Sequence, residues 1–322
     1  MPAPLARRPP TDVESIEELV ESARRYVAEG KASSTRRAYR SAFTAFEGWC
    51  TSRGLSACPA APATAAIYLA AMADAGAAVS TIERTLAGIA HEHRSRGRVW
   101  PRGEPAIRET MAGARRKLGT SPASKKAPVG DGELAALVAT LGEDLTGLRD
   151  RALLTLGWSS ACRRSELVAL DVRDVEVQHE GLLVHVRRSK GDQEGKGYDK
   201  GVLYASAPTL CAVRALAAWL EKAGITEGPI FRSVDQHGHV STKRLSDRSV
   251  ARIVQRAARA AGLDPARYGG HSLRSGFMTT AAEKGRPLEA IMRQTGHKTE
   301  RVARGYIQHA TVFKNNPAKG LV

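Results

Sequence analysis

Aromatic residues are scarce in this chain of 322 residues: Phe, Trp and Tyr together make up 5%. Strand-rich cores lean on aromatic and β-branched side chains. Ala, Leu and Arg are abundant instead, and they favour helix. A mostly helical protein is expected. Cysteine is sparse too. Cys50, Cys58, Cys162 and Cys211 are widely spaced and form no C-x-x-C pair, which argues against a disulfide framework or a structural zinc. They read as reduced, buried small residues of an intracellular protein. No apolar run is long enough to span a membrane, since the longest, residues 60–73, is interrupted by Pro62. Met1 to Pro10 holds no apolar leader segment. There is no G-x-x-x-x-G-K-S/T loop and no metal-ligand cluster, so neither nucleotide nor metal is expected as a cofactor.

Acidic residues are also in deficit. Against 49 Lys and Arg stand 33 Asp and Glu, giving a net charge of +16 and a pI near 10.1. Such an excess favours a polyanionic partner, the alternative being a basic solvated surface. The excess is localised. Residues 31–130 carry 16 basic against 6 acidic side chains, whereas the first thirty carry 4 against 6. Binding to a duplex through that basic stretch releases counterions and weakens steeply with salt.

Residues 1–11 are Pro-rich and read as a disordered N-terminus. Apolar residues then recur at helical spacing from Asp12 to Leu118. Ile16, Leu19, Val20, Ala23 and Val27 mark a first, acidic helix ending at Gly30. A second begins near Ser34, with Arg36, Arg37 and Arg40 in its opening turn, and a third runs from Ala63 to Ala75. Ser80-Thr81-Ile82-Glu83 reads as a capping box opening a fourth, and Ile107, Met111, Ala114 and Leu118 mark a fifth. Residues 12–118 therefore predict a helical bundle. Residues 119–130 are Pro/Ser/Lys-rich and read as a basic linker. The second domain, 131–322, opens with Asp131 as N-cap. A helix over 147–160 leads to Arg163, and residues 172–206 alternate as a small antiparallel sheet. Helices are expected over 208–222, 246–261, 271–284, 287–294 and 299–305.

The chemistry-bearing residues lie in this second part. Cys162-Arg163-Arg164-Ser165-Glu166-Leu167 sets Arg163 one turn before Leu167, facing inward, with Arg164 as the alternative. Lys190 sits in Arg188-Ser189-Lys190-Gly191 at a hairpin turn, with Lys196 and Lys200 as rivals. H-x-x-R occurs four times, at His91/Arg94, His93/Arg96, His185/Arg188 and His271/Arg274. Only the last opens a helix after Gly269-Gly270, where i and i+3 share one face. Thr295-Gly296-His297 follows, and Tyr306 comes nine residues after His297.

The ordered set Arg163, Lys190, His271, Arg274, His297, Tyr306 resembles the tyrosine recombinase (phage integrase) family and, in its two-domain proportions, the Cre type. The resemblance implies a mainly α fold with a small antiparallel β-sheet. An N-terminal helical core-binding (SAM-like) bundle would precede a C-terminal α+β tyrosine recombinase catalytic domain. It also implies a site-specific recombinase, with Tyr306 as nucleophile on a DNA phosphodiester. Arg163, Arg274, His271 and His297 would hold the phosphate, Lys190 would act as general acid, and Glu166 would orient its neighbours. Arginine suits the task because its planar fork holds two phosphate oxygens and keeps its charge. Transesterification of this kind needs no cofactor. Partners would be double-stranded DNA bearing inverted repeats, a homodimer on each site and a homotetramer in synapsis, in the cytoplasm at the nucleoid, with no membrane. Arg248 would read a base and Lys243 and Arg244 would hold phosphates. The tail 307–322 would dock on a neighbouring protomer or fold back on its own domain. The rival readings are a monomeric type IB topoisomerase, a catalytically silent DNA-binding regulator and, with less room for its extra domains, a telomere resolvase.

Overall fold

The computed structural model describes residues 15–100, 103–121, 126–189, 192 and 195–311. They fall into two units, residues 1–124 and 125–322, mainly helical with small antiparallel sheets.

The first unit holds α1 (Ile16–Glu29), α2 (Ser33–Thr51), α3 (Pro62–Asp74), α4 (Val79–Ser95) and α5 (Pro105–Leu118). Phe43, Phe46 and Cys50 of α2 pack on Tyr68 of α3 and Ile89 of α4, while Leu69, Ile82 and Met111 form an adjoining cluster. Of the stripe predicted for α5, Ile107, Met111 and Ala114 are buried and Leu118 is exposed. α1 differs. Ser15 and Glu18 form a reciprocal capping box, yet the apolar residues at helical spacing face outward, Ile16 at 76% and Val27 at 79% exposure. The capping box expected at Ser80–Glu83 does not form. Val79 is buried, so the helix starts at Val79 with Ala78 as N-cap. Ser80 then lies inside the first turn, and Glu83 instead receives Nε and Nη2 of Arg115 at 3.0 and 2.8 Å. Two H-x-x-R copies lie on α4. His93 of one is a buried structural residue. Its Nδ1 lies 2.8 Å from the Ile89 carbonyl and its Nε2 accepts from the Ala60 amide at 2.9 Å, which fixes the ring's orientation.

The second unit comprises α6 (Asp131–Ala139), α7 (Leu145–Ser159), α8 (Arg164–Ala169), β1 (Val175–Gln178), β2 (Gly181–Val186), β3 (Tyr198–Leu203), α9 (Ala212–Lys222), β4 (Arg232–Val234), β5 (Val240–Arg244), α10 (Asp247–Ala260), α11 (Ser272–Glu283), α12 (Leu288–Thr295) and α13 (Glu300–Thr311). β1, β2 and β3 form an antiparallel sheet in that order, with Val184 opposite Lys200. Its inward side chains Leu182, Val184 and Val202 join Leu153, Trp219 and Val254 in one core. The β4–β5 hairpin was not expected. Its strands of three and five residues are mostly polar, too short for an alternating pattern to register. Asp131 is the first helical residue and not the N-cap, which is Gly130. The Asp131 carboxylate reaches Lys284 at 2.6 Å instead. α13 runs past Gly305, where the sequence predicts a stop. A lone glycine costs a helix only about 1 kcal/mol.

The end of the segment read as a linker belongs to this second unit. Ala127 and Val129 donate to the carbonyls of Arg267 and Ser272, and the Val129 carbonyl accepts from Trp158 Nε1 at 2.8 Å. Gly276 of α11 permits this approach, since a Cβ there would stand 1.7 Å from the Val129 oxygen. Gly276→Ala is therefore expected to destabilise the second unit by about 1–3 kcal/mol, measured as a lower Tm. An unchanged Tm would mean that residues 126–130 can leave α11 freely.

Candidate active site

Arg163 stands at the start of α8, behind a bend at Ser160–Cys162. Ala161 has φ +49°, a left-handed conformation costing a non-glycine residue roughly 1–2 kcal/mol. Two cations hold the bend from beneath. Lys200 Nζ donates to the Ser160 carbonyl at 2.8 Å and Arg274 Nη1 to the Ala161 carbonyl at 2.7 Å. Each is only 1% exposed. Glu166, 2% exposed, accepts from the Arg163 amide at 2.9 Å and from its Nη1 at 2.5 Å. One carboxylate thus fixes both the backbone and the guanidinium of Arg163.

His271 caps α11, and Arg274 lies in the helix's first turn. Arg274 Nη2 faces His297 Nε2 at 3.1 Å, across from the αL turn at Gly296 that ends α12. A guanidinium only donates, so His297 Nε2 accepts and the ring is neutral. Burial, then Arg274, Arg163, His271 and Lys200, pushes the His297 pKa down to about 4. His271 Nε2 lies 3.2 Å from the Tyr306 hydroxyl. Burial first, then Arg274, Arg163 and Arg164, lowers His271 below its ordinary value. It is therefore neutral near pH 7 and can accept the phenolic proton. Burial raises the Tyr306 pKa, with Arg274 opposing, so the phenol rests protonated. Its ring packs on the small cluster of Met278, Ile291 and Ala303.

Arg163, Glu166, His271, Arg274, His297 and Tyr306 are thus brought together. Lys190 lies outside the described residues, as do Val312, Phe313, Leu321 and Val322 of the tail. Of its rivals, Lys200 is not a turn residue but a buried one on β3. Burial lowers its pKa. Lys196 lies in the β2–β3 connection, with its amide on Asp192 Oδ1 at 3.2 Å. The site collects two arginines and a lysine around one buried carboxylate. Burial, then the neighbouring Arg163, lowers the Arg274 pKa, with Glu166 opposing.

Three residues that the motifs did not single out support this site. Tyr198 donates to Glu166 Oε2 at 3.3 Å, and burial drives its pKa well up. Its ring fills the space above Gly296, where a Cβ would sit 2.7 Å from it. The αL conformation and this contact together require glycine before His297. Thr295 Oγ1 lies 2.7 Å from His297 Nδ1. Gln294 Nε2 bridges the carbonyls of Ser159 and Gly201 at 2.9 and 2.8 Å, tying α12 to the bend before Arg163. Nothing local in the sequence marks Tyr198 or Gln294. Thr295 adjoins the Gly-His pair, and a hydroxyl beside an imidazole was the available signal.

The basic candidates divide. Lys243 on β5 and Arg248 in the first turn of α10 are exposed. Arg244 is not the phosphate-ready side chain expected. Its fork goes to the Val168 and Leu170 carbonyls at 2.7 and 3.2 Å and to Asp171 at 2.5 Å, because β5 runs beside the end of α8. In the first unit Arg37 and Arg40 are exposed on α2, and Arg36 is half-buried. His185 of another H-x-x-R copy is held by Asp199 and Glu176 at 2.7 and 3.1 Å on the sheet. These contacts raise its pKa, the Asp199 hydrogen bond most. Among the described residues no three His, Cys, Asp or Glu side chains converge to hold a metal ion, and no helix is long and apolar enough to cross a membrane.

Residues 131–312 match the phage integrase family. Over 308 residues the chain is 38% identical to an integrase/recombinase xerD homolog of Selenomonas ruminantium, covering 94% of this chain and 90% of that one. It is 30% identical over 184 residues to the tyrosine recombinase XerD of Xanthomonas axonopodis pv. citri (strain 306), covering 55% and 57%. Among solved structures, a lambda integrase dimer bound to a COC′ core site superposes with a TM-score of 0.58 at 20% identity, over 91% of this chain and 77% of that one. The XerH site-specific recombinase bound to palindromic difH substrate, in a post-cleavage complex, gives 0.57 at 17% identity over 80% and 72%. At such identities these superpositions carry the fold alone.

Proposed function

Starting from the fact that this chain belongs to the phage integrase family and is a tyrosine recombinase that cleaves and rejoins DNA, we propose that Tyr306 is its nucleophile and that it acts as a tetramer on paired inverted-repeat sites. The observation that carries the reading is the Tyr306 hydroxyl on His271 Nε2, beside a cationic pocket with one carboxylate. The phenolic oxygen attacks the scissile phosphorus in line, and its proton passes to His271. The bond from phosphorus to the 5′-oxygen breaks, leaving a 3′-phosphotyrosine and a 5′-hydroxyl. Lys190, by its place in the motif order, protonates that oxygen. Arg163, Arg274 and His297 meet the charge on the non-bridging oxygens. Glu166 fixes Arg163, and no step calls for a nucleotide or a metal. The free 5′-hydroxyl of a partner strand then attacks the phosphotyrosine, and two such exchanges pass through a Holliday junction.

Two protomers on inverted half-sites and two such dimers in synapsis fit this chemistry, since each protomer cuts one strand. The exposed Arg37, Arg40, Lys243 and Arg248 are the DNA-contacting side chains in this reading, with Arg36 beside them on α2. The division of labour follows the expected segments, with one adjustment: a basic bundle over 12–118, a linker from 119, and a catalytic part from 131 to which residues 126–130 are already bound.

Sequencing of DNA covalently captured on the protein in cells tests the reading. Adducts at one recurring inverted repeat, with recombination only when two copies are present, are the expected result. Adducts scattered without site preference would favour a topoisomerase-like enzyme acting alone. DNA occupancy without any adduct would favour a silent binder.

A further inference from the structure

In the free protein the hydrogen of Arg274 Nη2 goes to His297 Nε2 at 3.1 Å. Because a guanidinium only donates, that nitrogen is bare and the ring proton sits on Nδ1. Nδ1 in turn points at Thr295 Oγ1, 2.7 Å away. The Thr295 side chain is fully buried, and its hydroxyl also lies 2.7 Å from the Ile291 carbonyl. The proton order is therefore determined along the chain. Arg274 donates to Nε2, Nδ1–H donates to Thr295, and the Thr295 hydroxyl donates to Ile291.

Contact with a phosphate reverses the demand on His297. An anionic oxygen wants the hydrogen of Arg274 for itself and a second donor from Nε2. A neutral ring that donates from Nε2 must accept at Nδ1. The Thr295 hydroxyl meets this by rotating about its Cβ–Oγ1 bond, turning its hydrogen from the Ile291 carbonyl to Nδ1. That carbonyl retains its helical backbone partner. A hydroxyl offers both a donor and an acceptor at one point. Valine, its isostere, offers neither.

We propose that Thr295 is a positioning residue for His297, its hydroxyl holding Nδ1 both at rest, when Nε2 accepts from Arg274, and on the phosphate, when Nε2 donates. The phosphate-engaged half of this rests on the function proposed above. The resting half does not, and the experiment separates them. Thr295→Val keeps the shape and removes the hydroxyl, whereas Thr295→Ser keeps the hydroxyl. The ¹⁵N-imidazole spectrum of the free protein, with His297 assigned by its loss in a His297→Gln variant, reads the ring proton without any DNA. The parent and Thr295→Ser are expected to hold the His297 Nδ1 proton in a hydrogen bond, shifted downfield and slow to exchange with water, a signature that Thr295→Val loses although Arg274 still fixes the proton on Nδ1. With the DNA recovered from captured adducts, Thr295→Val is expected to form adduct about three- to tenfold more slowly, the loss of one hydrogen bond of ordinary strength. Thr295→Ser should cleave at close to the parent rate. A Thr295→Val protein that keeps the hydrogen-bonded Nδ1 proton, or that cleaves at the parent rate, overturns the proposal. So does a Thr295→Ser protein as slow as Thr295→Val, since packing would then be the cause. Should the parent form no adduct on any DNA, the recombinase mechanism fails, and the imidazole spectrum still decides the role of Thr295.

Discussion

Tyr306→Phe is expected to bind DNA as the parent does and to form no covalent adduct at all. The ring of Tyr306 packs on Met278, Ile291 and Ala303, and phenylalanine preserves that packing. The lost hydroxyl leaves His271 Nε2 without its 3.2 Å partner, but His271 keeps an open face where water can substitute. Folding stability should therefore change little. DNA affinity and its salt dependence come from phosphate contacts by Lys and Arg, and none of these is touched. What disappears is the hydroxyl proposed to form the bond to phosphorus, so the expected effect is complete and not graded. Denaturing electrophoresis of protein mixed with nicked site DNA reads the outcome directly. Adduct at the parent level from the Phe protein would remove Tyr306 from the nucleophile's role.

Arg274→Lys should lower the rate of adduct formation by about 10²–10³, the usual consequence of removing one preorganised donor from a charge-stabilising site. The guanidinium serves two partners at once, the Ala161 carbonyl at 2.7 Å and His297 Nε2 at 3.1 Å. An ammonium is a point charge without the fork and cannot reproduce both directions. The Ala161 carbonyl, in a bend already held at φ +49°, loses its partner, which costs about 1–3 kcal/mol of stability. Activity and Tm are thus expected to fall together, with affinity for DNA little changed. Single-turnover cleavage beside a thermal melt makes the comparison. A rate within threefold of the parent would show that Arg163 alone meets the phosphoryl charge.

Much of the fold was legible because helices announce themselves. The stripes Phe43–Phe46 and Ile107–Met111–Ala114 repeat at 3.6 residues, and burial then follows. Order and spacing also pointed to residues that the fold brings together, Arg163, Glu166, His271, Arg274, His297 and Tyr306, since such chemistry would call for cations and a phenol whatever the surroundings. Failures came where tertiary contacts outvote local signals. Val79 is buried, so α4 begins before the capping residues. Arg244 neighbours Asp171 only because β5 runs alongside the end of α8. Ile16 and Val27 carry helical spacing without telling which face lies open. Tyr198 and Lys200 reach the site from β3, and Gln294, three residues before His297, ties α12 to the bend before Arg163; no local pattern records such approaches.

The clamp of Glu166 on Arg163, with the matching one of Ala161 and His297 on Arg274, bears on recognition as well as on rate. A long side chain immobilised on association loses about 0.5–1.5 kcal/mol of rotamer freedom. These two arginines lose theirs when the chain folds, before any DNA is met. Contacts that they make with a phosphate then add to affinity undiminished, but they are the same on every sequence, since phosphates carry no base identity. In the proposed reading, discrimination among sites falls to exposed side chains such as Arg248, which no such clamp holds in advance. The entropy lost there can be recovered only when the bases match, so a site of the wrong sequence is left with the same electrostatic attraction and a smaller net gain.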